Sequence, residues 1–294
     1  MGYLLDDALA YAEISNQVYQ DNGGSPGEGW EVIFTPDDLP KDKRNQLDQS
    51  FYGALYQRSV KNIDNEDVIE FAIAYRGSND FGDWTKSNLD IVLHSIPDQF
   101  DDAYQFAIMA RSHITDFYDD RFKLDQFTFT GHSLGGALAN LMCAAVKSES
   151  GAYSFNAPGV RWLIDRQGYE DASELEEKMQ AKLEDETFTL EDYDAASNIV
   201  HVNSAGDGAS KLFGRIGHEE IIDTGGMPFV LQTLMVLGGV ILPGGNLANL
   251  LWYAPGLIIS HDMTNLKNAL QAQQNDAESD GAISGNFIEE DGLF

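Results

Sequence analysis

Ser133 is the residue whose setting best fits covalent chemistry. It lies in the run GHSLGG, which follows the strand-like segment QFTFT and precedes an alanine-rich helical segment, Leu134 to Val146. A serine in a sharp strand-to-helix turn lifts its hydroxyl clear of the sheet, and small residues at Gly131 and Gly135 let strand and helix approach each other. The pattern predicts a nucleophile elbow with Ser133 as the nucleophile, beside a helix N-terminus that can bind an oxyanion.

A serine nucleophile needs a base, and three histidines follow Ser133: His201, His218 and His261. His201 lies inside the strand-like run NIVHVN, which favours a packed side chain. His261 opens HDMTNLKNAL, a predicted junction between loop and helix, which is where a catalytic histidine belongs. We therefore predict His261 as the base, with His218 in RIGHEE as its rival.

The acid that orients the base is predicted at Asp207. It follows NIVHVN through the turn SAG, and so falls at the carboxyl end of a parallel strand, where open sheets bind their ligands. The alternative is that Asp207 is a turn residue in AGDG.

The oxyanion hole is predicted from two places in the chain. The backbone N–H of Leu134 stands at the start of the helix, and AYRGSND supplies Ser78 after a buried strand-like run. The backbone N–H or the hydroxyl of Ser78 would share one oxygen with Leu134. The alternative for RGS is a plain turn.

These residues require a parallel sheet to bring them together. Strand-like and helix-like segments alternate along the chain, which predicts an α/β fold with a mostly parallel central sheet and helices on both faces. The predicted strands are WEVIF, FYGALYQRSV, VIEFAIAY, QFTFT, AYSFNAP and NIVHVN, and the predicted helices are 3–19, 98–118 and 134–146. Residues 165–194 are acidic and are predicted to form a solvated surface excursion.

A stretch without charged residues, Met227 to Ser260, ends directly before His261. Pro243 interrupts it, and each half is shorter than the roughly 20 residues of a membrane span, so no stable transmembrane span is expected. Buried core remains one interpretation. The other is a lipid-facing cap or acyl pocket, for which Leu237 and Trp252 are candidate lining residues. We predict one domain over residues 1–270 and a flexible acidic tail over 271–294.

The composition narrows the possible partners. The formal net charge is -30, from 48 acidic against 18 basic residues, which argues against binding nucleic acid or strongly anionic membranes. No metal cluster or phosphate loop is visible, so no cofactor and no metal are expected. The single cysteine, Cys143, lies in an apolar run and is predicted to be buried.

The sequence does not fix the compartment or the oligomeric state. The N-terminal MGYLLDDALAYAEI has acids where a Sec-type signal has basic residues. Either a cytoplasmic location or export by a route without a cleaved N-terminal signal fits.

Six motifs in order make the chain resemble the class 3, or fungal-lipase-like, family of lipases in its bacterial form. They are AYRGS at 74–78, DW at 83–84, GHSLGGAL at 131–138, SFNAPG at 154–159, HVNSAGD at 201–207 and HDMTNL at 261–266.

The resemblance implies an α/β-hydrolase fold and a serine esterase with the triad Ser133, Asp207 and His261. It also implies an oxyanion hole at Ser78 and Leu134. The expected substrate is an acylglycerol or phospholipid, often met at a lipid–water interface under a lid. The alternatives are a short-chain esterase, thioesterase, peptidase or acyltransferase on the same fold, or a catalytically dead membrane-binding module.

Overall fold

The structure of the protein is a computed structural model. It describes residues 2–24, 26–27, 29–62, 64–77, 99–118, 122–160, 198–205, 207, 210, 217–222 and 262–286.

A single sheet forms the centre of the described structure. Its strands lie in chain order: β1 (Glu31–Phe34), β2 (Gly53–Lys61), β3 (Asp67–Tyr75), β4 (Thr128–His132), β5 (Ala152–Phe155), β6 (Ile199–Ser204) and β7 (His218–Ile222). The first three strands run antiparallel to one another, and β3 to β7 run parallel. The carboxyl ends of the five parallel strands therefore lie along one edge, as ligand sites in open α/β sheets require.

Helices cover both faces of this sheet. They are α1 (Gly2–Gln17), α2 (Lys41–Arg44), α3 (Gln99–Tyr118), α4 (Leu134–Val146) and α5 (Met263–Asn286), with short 3₁₀ turns at Asp21–Gly23, Pro36–Asp38 and Leu124–Gln126. The buried side chains of α3 and α4 belong to one hydrophobic cluster, and those of α1 and α5 belong to a second.

The alternation of side chains along the strands explains why two cores form. On β3, Ile73 and Tyr75 pack with α3 and α4, whereas Ala72 and Ala74 pack on the opposite face. Successive residues of a strand point to opposite faces, and both faces here are apolar, so each must be covered by helices. The predicted α/β-hydrolase fold, with a mostly parallel sheet covered on both faces, is thereby confirmed.

Most predicted elements are present with small shifts at their ends. The helix 134–146 has the predicted bounds, and the predicted helix 3–19 extends from Gly2 to Gln17. β7 was not predicted, because HEEII lacks the apolar alternation of a half-buried strand. Cys143 is fully buried, as predicted.

The C-terminal helix crosses residue 271, where the sequence predicts that the domain ends and a flexible tail begins; that division stays a prediction. α5 continues to Asn286, so residue 271 is not a break in secondary structure. The run QAQQNDAE from Gln271 is rich in Ala and Gln, which favour helix even where few apolar residues are available for packing. None of the helices described is both long and apolar enough to cross a membrane. The acidic segment 165–194 and the uncharged stretch Met227 to Ser260 lie outside the described residues.

Candidate active site

Ser133 occupies a tight turn between the end of β4 and the start of α4. Its backbone has φ 56° and ψ −127°, a conformation that side-chain-bearing residues rarely adopt and that costs roughly 1–3 kcal/mol. The Ser133 N–H donates to the Phe155 carbonyl oxygen over 2.9 Å, which anchors the turn to β5. The Ser133 hydroxyl makes no capping hydrogen bond to the N-terminus of α4.

Glycines allow this turn to be so tight. A Cβ on Gly135 would overlap the carbonyl oxygen of Tyr75, and one on Gly131 would overlap the backbone of Gly135. A Cβ on Gly136 would lie 2.7 Å from the Cβ of Ala157. The start of α4 therefore crosses the ends of its neighbouring strands with no room for side chains, as the sequence predicted for Gly131 and Gly135.

The segment after β3 lies directly against the Ser133 turn. A Cβ on Gly77 would be 2.7 Å from the carbonyl oxygen of His132 and 3.4 Å from the Gly135 nitrogen. Leu134 is the first residue of α4, where N–H groups have no acceptor within the helix. Ser78, the predicted second oxyanion donor, lies outside the described residues, so its role stays a prediction.

Asp207 is fully buried just beyond the carboxyl end of β6. Its N–H donates to the Ser204 carbonyl oxygen over 3.0 Å, and its Oδ2 accepts the Ser210 N–H over 2.6 Å. β5 separates β6 from β4, so the ends of β4 and β6 are about 10 Å apart, two interstrand spacings. Asp207 thus lies at the same edge of the sheet as Ser133.

Two of the three candidate bases lie within strands and away from the carboxyl edge of the sheet. His201 is fully buried within β6, where its Nδ1 lies 2.9 Å from Ser154 Oγ. His218 begins β7 opposite Val200, toward the amino ends of the parallel strands, and its Nε2 lies 2.8 Å from Glu220 Oε1 at the surface. His261 lies outside the described residues.

The residue after His261 leads into the final helix. The Asp262 side chain accepts the Asn265 N–H over 2.9 Å, and Leu266 is fully buried beneath the first turn of α5. The predicted junction between loop and helix at HDMTNL therefore ends in an anchored helix start. Leu237 and Trp252, the candidate pocket residues, are also outside the described residues.

Asn156 is a residue of the SFNAPG motif to which the sequence alone assigned no role. It follows β5, is fully buried and has φ 47°. Its Oδ1 accepts the Ser204 N–H over 2.7 Å, and its Nδ2 donates to Ser204 Oγ over 3.2 Å. The predicted strand AYSFNAP includes Asn156, whereas β5 ends at Phe155, so no signal in the sequence pointed to its role.

Tyr19 is a second residue that the sequence did not single out. Its hydroxyl accepts the Gly77 N–H over 3.1 Å and lies 3.2 Å from His132 Nδ1. Nothing in the surrounding run NQVYQ indicates these two contacts, because each joins positions more than fifty residues apart in the chain.

Across the ranges that the structure describes, no group of three or more His, Cys, Asp or Glu side chains could hold a metal ion. The expectation that no metal or cofactor takes part stays a prediction.

Comparisons with solved structures give weak likenesses. An acetyl xylan esterase from Paenibacillus sp. R4 is 11% identical, with 82% of this chain and 94% of that chain covered and a TM-score of 0.24. A protein of Legionella pneumophila subsp. pneumophila str. Philadelphia 1, described as a hydrolase, is 10% identical, with 90% and 99% covered and a TM-score of 0.25. Neither TM-score is high enough to bear on fold or activity. No curated protein matches the chain.

A match to a protein family is more informative. The family described as phospholipase-like, with a Tle-like phospholipase domain, matches residues 10–204. The match spans β1 to β6 and includes the Ser133 turn, and it covers well over half of the chain. The more specific resemblance to class 3 lipases stays a prediction. The extent of the match shows that the chain is a phospholipase-like hydrolase and belongs to the Tle-like phospholipase family.

Proposed function

We propose that this protein hydrolyses carboxylic ester bonds of phospholipids or acylglycerols through an acyl-enzyme on Ser133. The observation that carries the proposal is the conformation of Ser133, held at φ 56° on a tight strand-to-helix turn in a chain of phospholipase-like family. Strain of this kind persists where the surrounding structure enforces it, and it is concentrated at functional sites.

The proposed reaction has two steps. Ser133 Oγ attacks the ester carbonyl carbon while its proton passes to His261, and the alcohol leaves with that proton as the C–O bond breaks. Water then attacks the acyl-enzyme and gives a proton to His261, and His261 passes that proton to Ser133 Oγ as the Oγ–C bond breaks and the fatty acid is released. Asp207 fixes the imidazole and stabilises its positive charge.

The positions of the histidines support His261 as the base. Of the histidines that follow Ser133, His201 is enclosed within β6, and His218 is exposed at the start of β7, away from the carboxyl edge. His261 immediately precedes Asp262, which leads into a helix packed in the same hydrophobic cluster as Val202 of β6. His261 is therefore the histidine whose position in the chain best suits a base that Asp207 orients.

The oxyanion hole is proposed from Leu134 and Ser78. The Leu134 N–H lies at the positive end of α4, the position that favours a developing negative charge. Ser78 follows Gly77, which lies against the Ser133 turn. Donors held in place before the reaction stabilise the tetrahedral intermediate without reorganising.

The substrate class follows from the family and from the uncharged stretch Met227 to Ser260. We assign this stretch to an acyl pocket or cap, because apolar burial is worth about 25 cal/mol per Å² and a long acyl chain would gain several kcal/mol from it. The net charge of -30 favours neutral or zwitterionic lipid over anionic lipid.

Labelling with a fluorophosphonate probe tests the nucleophile. The probe should modify the wild-type protein at Ser133, as located by mass spectrometry, and should not modify Ser133→Ala. Ser148→Ala is the matched control, because Ser148 is equally buried at the other end of α4 and its hydroxyl is bound to the Phe127 carbonyl oxygen. Labelling of folded Ser133→Ala at the wild-type rate would refute the proposal.

The substrate is tested with zwitterionic phospholipid vesicles, acylglycerol emulsions, and soluble ester, thioester and peptide substrates. Ser133→Ala should lower kcat on the best ester by about 10⁶. Leu237→Asp and Trp252→Asp should reduce long-chain activity and spare a soluble butyrate ester. Equal losses on short and long esters would mark the stretch as plain core, and a thioester or peptide preference would reassign the reaction.

A further inference from the structure

The hydroxyl of Tyr19 lies where two separate segments of the proposed site meet. It accepts the N–H of Gly77 over 3.1 Å. It also lies 3.2 Å from Nδ1 of His132, and it is within 3.4 Å of the His132 carbonyl oxygen, to which it can donate. One phenol therefore contacts both the segment after β3 and the last residue of β4.

Each of these two partners immediately precedes a residue of the proposed chemistry. His132 precedes Ser133, and Gly77 precedes Ser78. The two segments are already in close contact, since a Cβ on Gly77 would lie 2.6 Å from the Tyr19 hydroxyl and 2.7 Å from the His132 carbonyl oxygen. A shift of the Tyr19 hydroxyl would therefore change the spacing between them.

The ionisation of Tyr19 suits this bridging role. Burial raises the pKa of the phenol far above its ordinary value, against the smaller lowering effect of the hydrogen bond from Gly77. The phenol stays neutral and keeps its proton, so one oxygen can accept from Gly77 and donate to His132 together. A phenolate would accept from Gly77 but could not donate.

We propose that Tyr19 is a positioning residue, whose hydroxyl fixes the oxyanion segment at Gly77 relative to the nucleophile turn at His132. This inference rests on the proposed function, because it assigns roles to Ser133 and Ser78. Tyr19 touches no reacting atom in this scheme. It acts by keeping the oxyanion donors at the distance that the tetrahedral intermediate requires.

Tyr11 provides a control whose hydroxyl contacts the same strand. It lies on α1 and is buried, and its hydroxyl is 3.2 Å from Oγ1 of Thr128. Thr128 begins β4 and His132 ends it, so the two tyrosines contact opposite ends of the same strand. Replacing either by phenylalanine removes a hydroxyl that contacts β4, but only Tyr19→Phe removes it beside the proposed site.

The experiment compares Tyr19→Phe and Tyr11→Phe with the wild-type protein. On a soluble p-nitrophenyl ester, Tyr19→Phe should lower kcat by about 10- to 100-fold with KM nearly unchanged, because the loss falls on the transition state. Tyr11→Phe should keep wild-type kcat. Hydrogen exchange of the Gly77 amide should become faster in Tyr19→Phe alone.

The outcomes separate this inference from the proposed function. A wild-type protein that is neither labelled at Ser133 nor active on esters overturns the proposed function, and the role of Tyr19 with it. An active wild-type protein whose two variants lose kcat equally, or whose Tyr19→Phe variant raises KM alone, overturns only the inference. Unchanged Gly77 exchange in Tyr19→Phe also overturns it.

Discussion

Asn156 holds Ser204 by two hydrogen bonds, from the Ser204 N–H to Asn156 Oδ1 over 2.7 Å and from Asn156 Nδ2 to Ser204 Oγ over 3.2 Å. The pair joins the carboxyl ends of β5 and β6. Ser204 in turn accepts the N–H of Asp207 through its carbonyl oxygen. The position of the buried carboxylate therefore depends on a side chain of the neighbouring strand.

Substitution of Asn156 separates its hydrogen bonds from its backbone conformation. Asn156→Gly keeps φ near 47° without strain but loses both bonds, which should cost about 1–3 kcal/mol of unfolding free energy. Asn156→Ala should cost about 1–2 kcal/mol more, because a Cβ is disfavoured at that φ. Urea unfolding measures both values, and an alanine variant as stable as the glycine variant would contradict the assignment.

Gly135→Ala tests the tightness of the Ser133 turn. The new Cβ would overlap the Tyr75 carbonyl oxygen, and since backbone cannot yield cheaply, we expect a loss of more than about 2 kcal/mol together with loss of turnover. Gly27→Ala is the control, because a Cβ on Gly27 would have no atom within 4 Å, and its effect should stay within about 0.5 kcal/mol. Equal unfolding midpoints for the two variants would show that the turn can widen.

The identity of the base is tested by paired histidine variants. His261→Ala should match Ser133→Ala in its loss of kcat, since members of a triad act as a unit. His218→Ala should keep most activity, because His218 is exposed on β7 beside Glu220. Steady-state kinetics on a soluble ester decides between them, and a reversed order would make His218 the base.

Asp207→Asn tests the orienting acid. Asparagine keeps an oxygen that can accept the Ser210 N–H, so the fold should survive while the charge is lost. We expect kcat to fall by about 10⁴, because the imidazole loses its preferred tautomer. Asp67→Asn, in the exposed pair with Lys61, is the control and should leave kcat unchanged. An active Asp207→Asn enzyme would point to another carboxylate.

The pair Glu13 and Lys267 predicts an acid-dependent stability. Burial acts to raise the pKa of Glu13, but hydrogen bonds from Lys267 over 2.7 Å and from Gln17 over 3.0 Å outweigh it and hold the pKa below the ordinary 4.5. A lowered folded-state pKa gives stability that is present above the unfolded-state pKa and is lost as pH falls through the folded-state pKa.

Glu13→Gln should therefore destabilise the protein at neutral pH, by under about 1 kcal/mol because the pair is partly exposed. The difference from wild type should shrink as pH falls below the ordinary glutamate range. Unfolding curves across that range measure it, and a constant difference at every pH would exclude the linkage. The pair joins α1 to α5, so it also bears on the helix that follows His261.

The amino-acid sequence by itself determined the order of elements around Ser133. The spacing of Gly131 and Gly135, the apolar strand before Ser133 and the alanine-rich helix after it predict the tight turn, because each depends on residues close along the chain. The position of Asp207 after NIVHVN was also readable, since the end of a strand is a local property. HEEII carried no such signal, and its assignment as β7 depends on its parallel pairing with β6.

Only the tertiary structure decided which distant residues support these positions. The Tyr19 hydroxyl contacts Gly77 and His132, and Asn156 contacts Ser204, so each contact joins residues 48 or more positions apart. The local sequence cannot specify such pairs, because a tyrosine or an asparagine in the same local sequence could equally well be a packed core residue or a turn residue. The register of parallel strands brings these groups to one edge of the sheet, and that register arises from the packing of two apolar faces rather than from any one segment.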